Sequence, residues 1–415
     1  MLSKLKSIGQ HSVSRNAAAL GVMQIANYAV PLLLLPFLTR QLGLEAFGMV
    51  AISMAAIQLA LVLTDYGFSL SATYSISTHR ENTDFVNRKI SAIFGAKALL
   101  IGLLAIALII ARQAVPDLQT YTSYLIAAFI AVAALSFQPV WLFQGIERMK
   151  NITIYTVLSK ILYAVLVLQL VSKPDDAVTV IYCWSTAQLI GMIASLYFMR
   201  SAGYRIALPT YQAIKQEFIE GAQFFWSRLA VAIYTSASTL VVGSQGAAQA
   251  AQFAVCEQIY KAGQNVASPI NNAMFPYMAK HRDWKVFYKI LFVIGALMGM
   301  GCMVLAYYAE TLLILFFGTE YGTAAPILLI FLITTIINYI CVTFGYSAFA
   351  ALGRIEIANL SVIAGAVIHS IILLLIYTYL EINALSVALS ILFTESFVML
   401  IRLFCFRTLK ARIKK

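Results

Sequence analysis

QPVWLFQGIERMK, residues 138–150, ends a long apolar run at a sharp boundary. Trp141 and Phe143 stand before this boundary, and Arg148 and Lys150 follow it. Aromatic residues followed by Lys and Arg are typical of the point where a transmembrane helix leaves the bilayer on its cytoplasmic side. We therefore interpret this stretch as the cytoplasmic end of a membrane span, with both aromatic rings at the interface.

The composition of the whole chain requires a bilayer. Of the 415 residues, 61% are hydrophobic and 11% are charged, and the mean hydropathy is +0.84. Soluble domains are roughly 45–50% apolar and about 25% charged, so the excess apolar surface here must face lipid. The apolar segments are continuous and do not alternate with a period of two, which predicts helices and not a β-barrel.

Apolar stretches of about 20 residues, enough to cross a bilayer, predict an all-α polytopic protein with twelve spans. These spans lie near 16–39, 46–73, 89–111, 120–144, 151–171, 177–199, 217–242, 250–277, 286–308, 323–351, 355–379 and 383–406. Lys4, Lys6 and Arg15 precede the first one, which has no small-x-small cleavage pattern and is therefore expected to be a span and not a signal peptide.

The distribution of Lys and Arg predicts the orientation. Most of the 29 lie at one set of span ends, five lie inside spans, and only three lie at the opposite ends: Arg40, Arg112 and Lys173. Because positively charged loops stay in the cytoplasm, both termini are predicted to be cytoplasmic. The pI near 9.4 then reflects topology and attraction to anionic lipids and does not indicate nucleic-acid binding.

A weak internal repeat divides the twelve spans into six and six. Residues 145–151 read G-I-E-R-M-K-N and residues 353–359 read G-R-I-E-I-A-N, an offset of 208. An offset of 206 pairs Phe47 with Phe253 and Gln58 with Gln264. The division predicts lobes over 1–205 and 206–415, related as parallel repeats by a pseudo-two-fold along the membrane normal.

Charged residues inside spans are candidates for function, since each costs ~2.5–3.5 kcal/mol on insertion scales. The cations are Lys97, Lys160, Arg228, Lys261 and Arg402, and the acids are Asp65, Glu257 and Glu395. Arg402 is close enough to the cytoplasmic end to snorkel, and Lys97 can do so in part. Lys160 and Arg228 lie too deep for that, and Lys261 is placed to pair with Glu257 on one helix face.

Polar stripes accompany these charges in the first and eighth spans. We expect them to line a hydrated cavity, although contacts between helices are an alternative for any single Asn. The stripe residues are Gln24, Asn27, Gln264, Asn265, Ser268, Asn271 and Asn272, and the prolines that interrupt the same helices and mark candidate gating bends are Pro31, Pro36, Pro269 and Pro276. Gly145, at the end of the fourth span, is a further candidate hinge, and His369 is expected to be a hydrogen-bonded helix contact.

Five span cations against three acids favour an anionic substrate, and phosphate suits Arg and Lys best. No catalytic residue, metal site or cofactor is predicted. The five cysteines form no C-x-x-C pair.

The chain resembles the Wzx-type O-antigen flippases, in the superfamily that also contains multidrug exporters and lipid II flippases. The resemblance covers essentially the whole chain. It is carried by NYAVPLLLLPFLTRQLGLEAFG (27–48), TDYGFSLSATYSIS (64–77), QPVWLFQGIERMKNIT (138–153) and SPINNAMFPYMAK (268–280).

This resemblance implies the transport of an undecaprenyl-pyrophosphate-linked oligosaccharide to the periplasmic leaflet through a central cationic cavity. Arg228 and Lys261 would bind the pyrophosphate, with Lys160 and Lys97 as further candidates for that role. The polyprenyl tail would stay in lipid between the lobes. A proton or sodium ion would couple at Asp65, Glu257 or Glu395. The resemblance ranks the lining residues Arg228, Lys261, Glu257, Asp65, Gln24 and Asn27 above Lys97, Lys160 and Glu395. Membrane lipids and other glycan-assembly proteins are the expected partners.

Two other functions remain open from the sequence. A multidrug exporter of the same superfamily would be expected to have an acidic cavity for cationic drugs. A membrane polymerase or ligase for the same glycan would be an enzyme and would need a large periplasmic loop, whereas the longest periplasmic connections predicted here lie near 112–119 and 309–322. An ATP-driven pump is disfavoured because the chain contains no G-x-x-x-x-G-K-[ST] motif.

Overall fold

The computed structural model describes the backbone of residues 2–379 and 381–413. Within these ranges it describes the side chains from residue 21 onward. The exceptions are the side chains of residues 117, 227, 230, 231, 233–236, 412 and 413. The described residues form helices and no β-strand, which confirms the all-α prediction. Lys414 and Lys415 lie outside the described residues, and the side chains of Lys4, Lys6 and Arg15 lie outside the described side chains.

The α-helices of the described chain follow one another with short connections. They are α1 (Leu2–Asp65), α2 (Phe68–His79), α3 (Thr83–Ala114), α4 (Asp117–Thr120), α5 (Thr122–Ser136), α6 (Val140–Gly145), α7 (Met149–Leu170), α8 (Ala177–Ser201), α9 (Tyr211–Gly243), α10 (Ala247–His281), α11 (Trp284–Tyr307), α12 (Ala309–Phe317), α13 (Ala325–Val342), α14 (Ala348–Ala351), α15 (Glu356–Tyr379) and α16 (Ala384–Ile413). Short 3-10 helices cover Pro174–Asp176 and Thr319–Ala324, and a π-helical turn covers Thr343–Ser347.

Nine helical stretches of the described residues are long and apolar enough to cross a membrane. One of them is Gly21–Asp65, which lies within α1. Two helices meet inside it at Gly43, where φ is 74° and ψ is −177°. The helices α9 and α10 are 33 and 35 residues long and are not among the nine. The chain is therefore a multi-pass membrane protein, and the count of twelve spans stays a prediction.

Contacts divide the chain into two compact units. The first comprises Met1–Leu34 and Ser53–Leu229, and the second comprises Leu35–Ile52 and Ala230–Lys415. The lobe boundary predicted after residue 205 stays a prediction.

The core of the first unit contains aromatic residues that the sequence placed at the membrane interface. Trp141 and Phe143 are fully buried, with ring centroids 6.2 Å from those of Phe94 and Tyr155 respectively. The interfacial prediction for both rings is wrong. The predicted fourth span breaks before Pro139, and the short α6 that follows directs these rings against neighbouring helices.

In the second unit, α13 packs against α10, α11 and α16, and α15 packs against α16. A cluster of large side chains fills the space where α10, α11, α13 and α14 meet. It includes Met278, Phe287, Phe344, Phe349 and Phe406.

Each unit contains the same turn after its broken helix. Arg148 N–H donates to the Phe143 carbonyl (2.8 Å), and Arg354 N–H donates to the Phe349 carbonyl (2.9 Å). The residue before each arginine has a positive φ, 58° at Glu147 and 70° at Gly353. The turns therefore correspond at an offset of 206, and the match of Gly145 with Gly353 at 208 is out of register by two residues.

Candidate functional site

Asp65 lies where a long helix breaks. The helix α1 ends at Asp65 and α2 begins at Phe68, and both Tyr66 and Gly67 have a positive φ, of 46° and 82°. The break leaves carbonyl groups in the last turn of α1 without intrahelical donors, and the C-terminal end of a helix carries partial negative charge. A carboxylate at this position needs cations beside it.

Two glycines bring α9 against this break. A Cβ at Gly67 would lie 2.6 Å from the Gly221 carbonyl oxygen, and a Cβ at Gly221 would lie 2.7 Å from the Tyr66 carbonyl oxygen. Only glycine permits so close an approach. Phe225 stacks on Tyr66 with a centroid distance of 4.6 Å. Arg228 follows Gly221 by about two helical turns and so lies on the same face of α9.

Arg228 and Lys97 both pair with Asp65. The Arg228 Nη1 to Asp65 Oδ2 distance is 2.6 Å, and the Lys97 Nζ to Asp65 Oδ1 distance is 3.3 Å. The Ser69 hydroxyl donates to Asp65 Oδ1 (2.5 Å), and Lys97 also donates to the Ser136 carbonyl (3.1 Å). Two cations on one carboxylate leave this cluster, which we call the Asp65 site, with a formal charge of +1.

The two cations of the Asp65 site differ in exposure. The Lys97 side chain is 4% exposed and that of Asp65 is 15% exposed, whereas that of Arg228 is 40% exposed. Lys97 is thus committed to neighbouring protein groups. A guanidinium group has five N–H donors, so Arg228 can bind Asp65 and still present donors to an external anion.

The carbonyl that Lys97 caps is freed by the break between α5 and α6. Val140 N–H donates to the Gln138 carbonyl (2.9 Å) instead of to Ser136, four residues back. A buried carbonyl without a donor is costly, so the Lys97 ammonium stabilises this break. The family resemblance ranked Lys97 below Arg228, yet the structure brings both to the same carboxylate.

A second group of charges fixes α9 to α3. Lys89 Nζ lies 2.9 Å from Glu217 Oε1 and 2.6 Å from Glu220 Oε2, and Lys89 and Glu217 are buried. No role was predicted for Glu217 and Glu220 from the sequence. Their spacing of three residues on one helix, next to Lys215 at the end of a predicted span, was the available signal.

In the second unit, Lys261 pairs with Glu257 at 2.8 Å, as their spacing predicted. Lys261 is 39% exposed and Glu257 is 11% exposed, and the Thr239 hydroxyl donates to Glu257 Oε2 (3.4 Å). This pair is neutral overall, in contrast to the Asp65 site.

Glu395 accepts hydrogen bonds from two buried polar groups. Asn338 Nδ2 lies 3.0 Å and the Tyr260 hydroxyl 3.4 Å from Glu395 Oε1, and Gln264 Nε2 donates to the same tyrosine hydroxyl (2.8 Å). The carboxyl is therefore embedded in a network that begins on α10. Its predicted part in ion coupling stays a prediction.

The polar stripe of α10 lines a cavity of about 230 Å³ facing α13. Polar lining residues include Gln264, Asn265, Ser268, Asn271 and Asn272 of α10 and Thr335, Asn338 and Tyr339 of α13. Asn271 is also a helix contact, since it accepts a hydrogen bond from Thr343 (3.1 Å). The cavity can accept a hydrogen-bond-rich group such as a sugar.

The remaining predicted residues have surroundings of their own. Lys160 Nζ lies 4.3 Å from the centroid of the Trp184 ring, a cation–π contact between α7 and α8. Gln24 is exposed and Asn27 half-buried on α1. Pro31 and Pro36 lie within α1, Pro269 and Pro276 lie within α10, and Gly145 packs so tightly that a Cβ would lie 2.7 Å from the Ile76 side chain.

Arg402 does not snorkel, so that prediction is wrong. Its side chain is buried and donates to the Ser361 hydroxyl (2.8 Å) and to the carbonyls of Cys341 (2.8 Å) and Ala358 (3.2 Å). Gly345, in the π-helical turn after α13, leaves room for the guanidinium, since a Cβ there would lie 2.8 Å from Arg402 Nη1. His369 is a hydrogen-bonded helix contact, as predicted, at 3.0 Å from the Ser238 hydroxyl.

Comparison with known proteins decides the family. Residues 13–282, more than half of the chain, match the family described as polysaccharide biosynthesis protein. The chain belongs to that family.

Within the described residues, no three His, Cys, Asp or Glu side chains come together in a way that could hold a metal ion.

Two relatives of the chain are each provisionally named an O-antigen transporter. One, from Escherichia coli (strain K12), is 26% identical over 328 residues, covering 77% of this chain and 79% of its own length. The other, from Shigella dysenteriae, is 27% identical over 401 residues, covering 94% of this chain and 99% of its own length. Both relatives are named as transporters, and neither is named as an enzyme.

Solved structures show the same fold at low sequence identity. An inward-facing multidrug resistance MATE family transporter of the MOP superfamily aligns with a TM-score of 0.69 at 13% identity, over 96% of this chain and 99% of its own. The lipid II flippase MurJ, in an inward closed conformation, aligns with a TM-score of 0.69 at 12% identity, over 94% of this chain and 87% of its own. The chain therefore shares the fold of these two transporters.

Proposed function

We propose that the protein is a flippase that moves a polyprenyl-pyrophosphate-linked oligosaccharide from the cytoplasmic to the periplasmic leaflet of the bacterial inner membrane by alternating access. The family, the two relatives named as O-antigen transporters and the MOP fold support this proposal. Both termini lie in the cytoplasm on this proposal.

The observation that carries the proposal is the exposed Arg228 guanidinium in a cluster of net positive charge. Asp65 accepts a hydrogen bond from Nη1 of this group, and the other N–H donors of the guanidinium are available to a substrate. A pyrophosphate presents several anionic oxygens to these N–H donors, and Arg–phosphate pairs are frequently bidentate. The positive charge also argues against a cationic drug as the substrate.

In the absence of substrate, Asp65 forms an ion pair with Arg228. The incoming pyrophosphate competes with this carboxylate for the guanidinium, and Lys97 retains Asp65 when Arg228 turns to the substrate. The exchange avoids leaving either charge unpaired in a poorly hydrated site, where an isolated ion is costly.

Lys261 is the second proposed pyrophosphate cation, with Glu257 as its partner in the absence of substrate. Sugars of the oligosaccharide use the polar cavity on α10. A proton or sodium ion, bound at Asp65, Glu257 or Glu395, resets the transporter.

Substitution of Arg228 tests the proposal in a strain that lacks its own flippase. We expect Arg228→Ala to reduce surface polysaccharide strongly, because loss of hydrogen bonds between charged groups weakens binding by about ten- to hundredfold. Arg228→Lys keeps the positive charge but lacks the planar set of N–H donors, so it should restore the polysaccharide in part. Gel electrophoresis of the surface polysaccharide, with immunoblots of the membrane fraction, measures both.

Arg80 provides a matched control, since it is an exposed arginine that also pairs with an acid, Glu147, at 2.9 Å. Arg80→Ala should leave the polysaccharide unchanged. Full polysaccharide with Arg228→Ala at a normal protein level would refute the pyrophosphate role of Arg228.

A further inference from the structure

The second unit contains an apolar groove between α10 and α11. Its volume is about 470 Å³, within the range of ~300–1,000 Å³ that is usual for small-molecule pockets. Apart from Pro269, its lining comprises Ile270, Ala273, Met274 and Tyr277 of α10 and Val286 and Ile290 of α11.

The α10 wall of this groove lies along a stretch of helix with two prolines and a small side chain. Pro269 and Pro276 lie inside α10, and mid-helix prolines bend a helix because they lack an N–H donor. Ala273 lies between them and contributes only a methyl group. On the facing helix, the Asp283 side chain caps the start of α11 by accepting from Val286 N–H (3.1 Å), which fixes the far wall.

The groove lies near the end of the bilayer where the proposed substrate is made. It begins within two turns of the α10–α11 connection, an end predicted to be cytoplasmic. Lys280, Lys285 and Lys289 are exposed around this connection. Such cations attract the anionic groups at the cytoplasmic surface of the membrane.

The same helix carries the polar cavity next to the groove. Ser268 and Asn272 line the cavity, and their chain neighbours Pro269 and Ala273 line the groove. Neighbours on an α-helix are about 100° apart around its axis, so two adjacent faces of α10 present a polar and an apolar compartment. A ligand that spans both must combine a large hydrogen-bonding head with an apolar chain.

We infer that the α10–α11 groove binds the first isoprene units of the polyprenyl chain, next to the pyrophosphate, while the glycan end uses the polar side of α10. This inference rests on the proposed function and revises one expectation from the sequence, that the whole tail stays in lipid between the lobes. A phospholipid lacks the large polar head that the adjacent cavity would accept.

Shape and not hydrophobicity must select the chain. Lipid tails are as apolar as the groove, so transfer from the bilayer supplies little driving force. The methyl branches of an isoprenoid make it bulkier than a straight acyl chain, and Ala273 is the smallest side chain in the lining of the groove. Binding should therefore be sensitive to the volume of the groove.

The first test is photo-crosslinking in proteoliposomes of phosphatidylethanolamine and phosphatidylglycerol. The probe is a polyprenyl pyrophosphate with a photoreactive group on an isoprene unit near the pyrophosphate. We expect peptide adducts at Ala273, Met274 or Tyr277. Unlabelled polyprenyl pyrophosphate should suppress them about tenfold, and added phosphatidylglycerol should not.

The second test fills the groove. Ala273→Trp should reduce transport of the lipid-linked glycan about tenfold, and a second change, Ile290→Ala, should restore part of it by reopening space. Val293→Trp is the matched control, because Val293 lies on α11, is 49% exposed and does not line the groove. Normal protein levels by immunoblot exclude misfolding.

Three results would overturn the inference: adducts elsewhere, equal suppression by phosphatidylglycerol, which identifies an ordinary lipid site, or wild-type transport by Ala273→Trp. Failure of the proposed function looks different. In that case Arg228→Ala, which lies outside the groove, would leave the surface polysaccharide intact.

Discussion

Asp65 shows how a single buried residue sets the charge of its surroundings. Its carboxylate is the shared partner of Lys97 and Arg228, and these cations have different surroundings. The buried Lys97 depends on Asp65, because an unpaired buried charge is strongly destabilising. Arg228, whose side chain is 40% exposed, depends on Asp65 less.

This difference predicts the outcome of removing the charge of Asp65. Asp65→Asn should destabilise the protein by about 3–5 kcal/mol, since it leaves the buried Lys97 ammonium without its counter-ion. Adding Lys97→Met should recover part of that loss, because it removes the unpaired charge but also takes the donor from the Ser136 carbonyl. Thermal unfolding of the purified protein in detergent measures the effect. If Asp65→Asn were as stable as the wild type, Lys97 would not need this partner.

At the level of elements, the important features are breaks in helices that hydropathy predicts to be continuous. The predicted span over 46–73 is broken at Tyr66–Gly67, the fourth span before Pro139, and the tenth at the π-helical turn Thr343–Ser347. Apolar composition continues through each break, so a hydropathy argument could not detect them. Pro139 was a visible signal, whereas a positive φ at Tyr66 was not.

The contact between Gly67 and Gly221 positions Arg228, and this can be tested. Gly221→Ala would place a methyl group 2.7 Å from the Tyr66 carbonyl, so α9 must shift, at a cost of about 1–3 kcal/mol. We expect surface polysaccharide to fall while the protein still reaches the membrane.

Gly102→Ala on α3 is the control for that experiment. Nothing lies within 4 Å of its Cβ position, and alanine favours a helix by up to about 1 kcal/mol over glycine. It should be neutral or stabilising. Equal transport by both glycine variants would show that the close approach of α9 is not needed.

For the whole molecule, the division into two units cuts through α1 and α9. The Asp65 site belongs to the first unit, whereas the polar cavity on α10 belongs to the second, as do Glu257, Lys261 and Glu395. The predicted membrane orientation places the boundary cations of both units on the cytoplasmic side.

Labelling of single cysteines tests this orientation. In a variant whose five native cysteines are replaced, a cysteine at the exposed Lys173 should react with a membrane-impermeant maleimide in spheroplasts. A cysteine at the exposed Lys150 should react only after permeabilisation. The reverse pattern would invert the topology and contradict transport from the cytoplasmic leaflet as drawn here.

The sequence by itself determined the helical membrane architecture, the pairing of Glu257 with Lys261 and the polar face of α10. These depend on composition and on spacing within one helix, which the chain displays directly. Only the tertiary structure decided that Lys97 and Arg228 share Asp65, that Arg402 is buried and that Trp141 belongs to the core. Each of these depends on which helices meet and on where a helix breaks, and residues far apart in sequence carry no local signal of their contact.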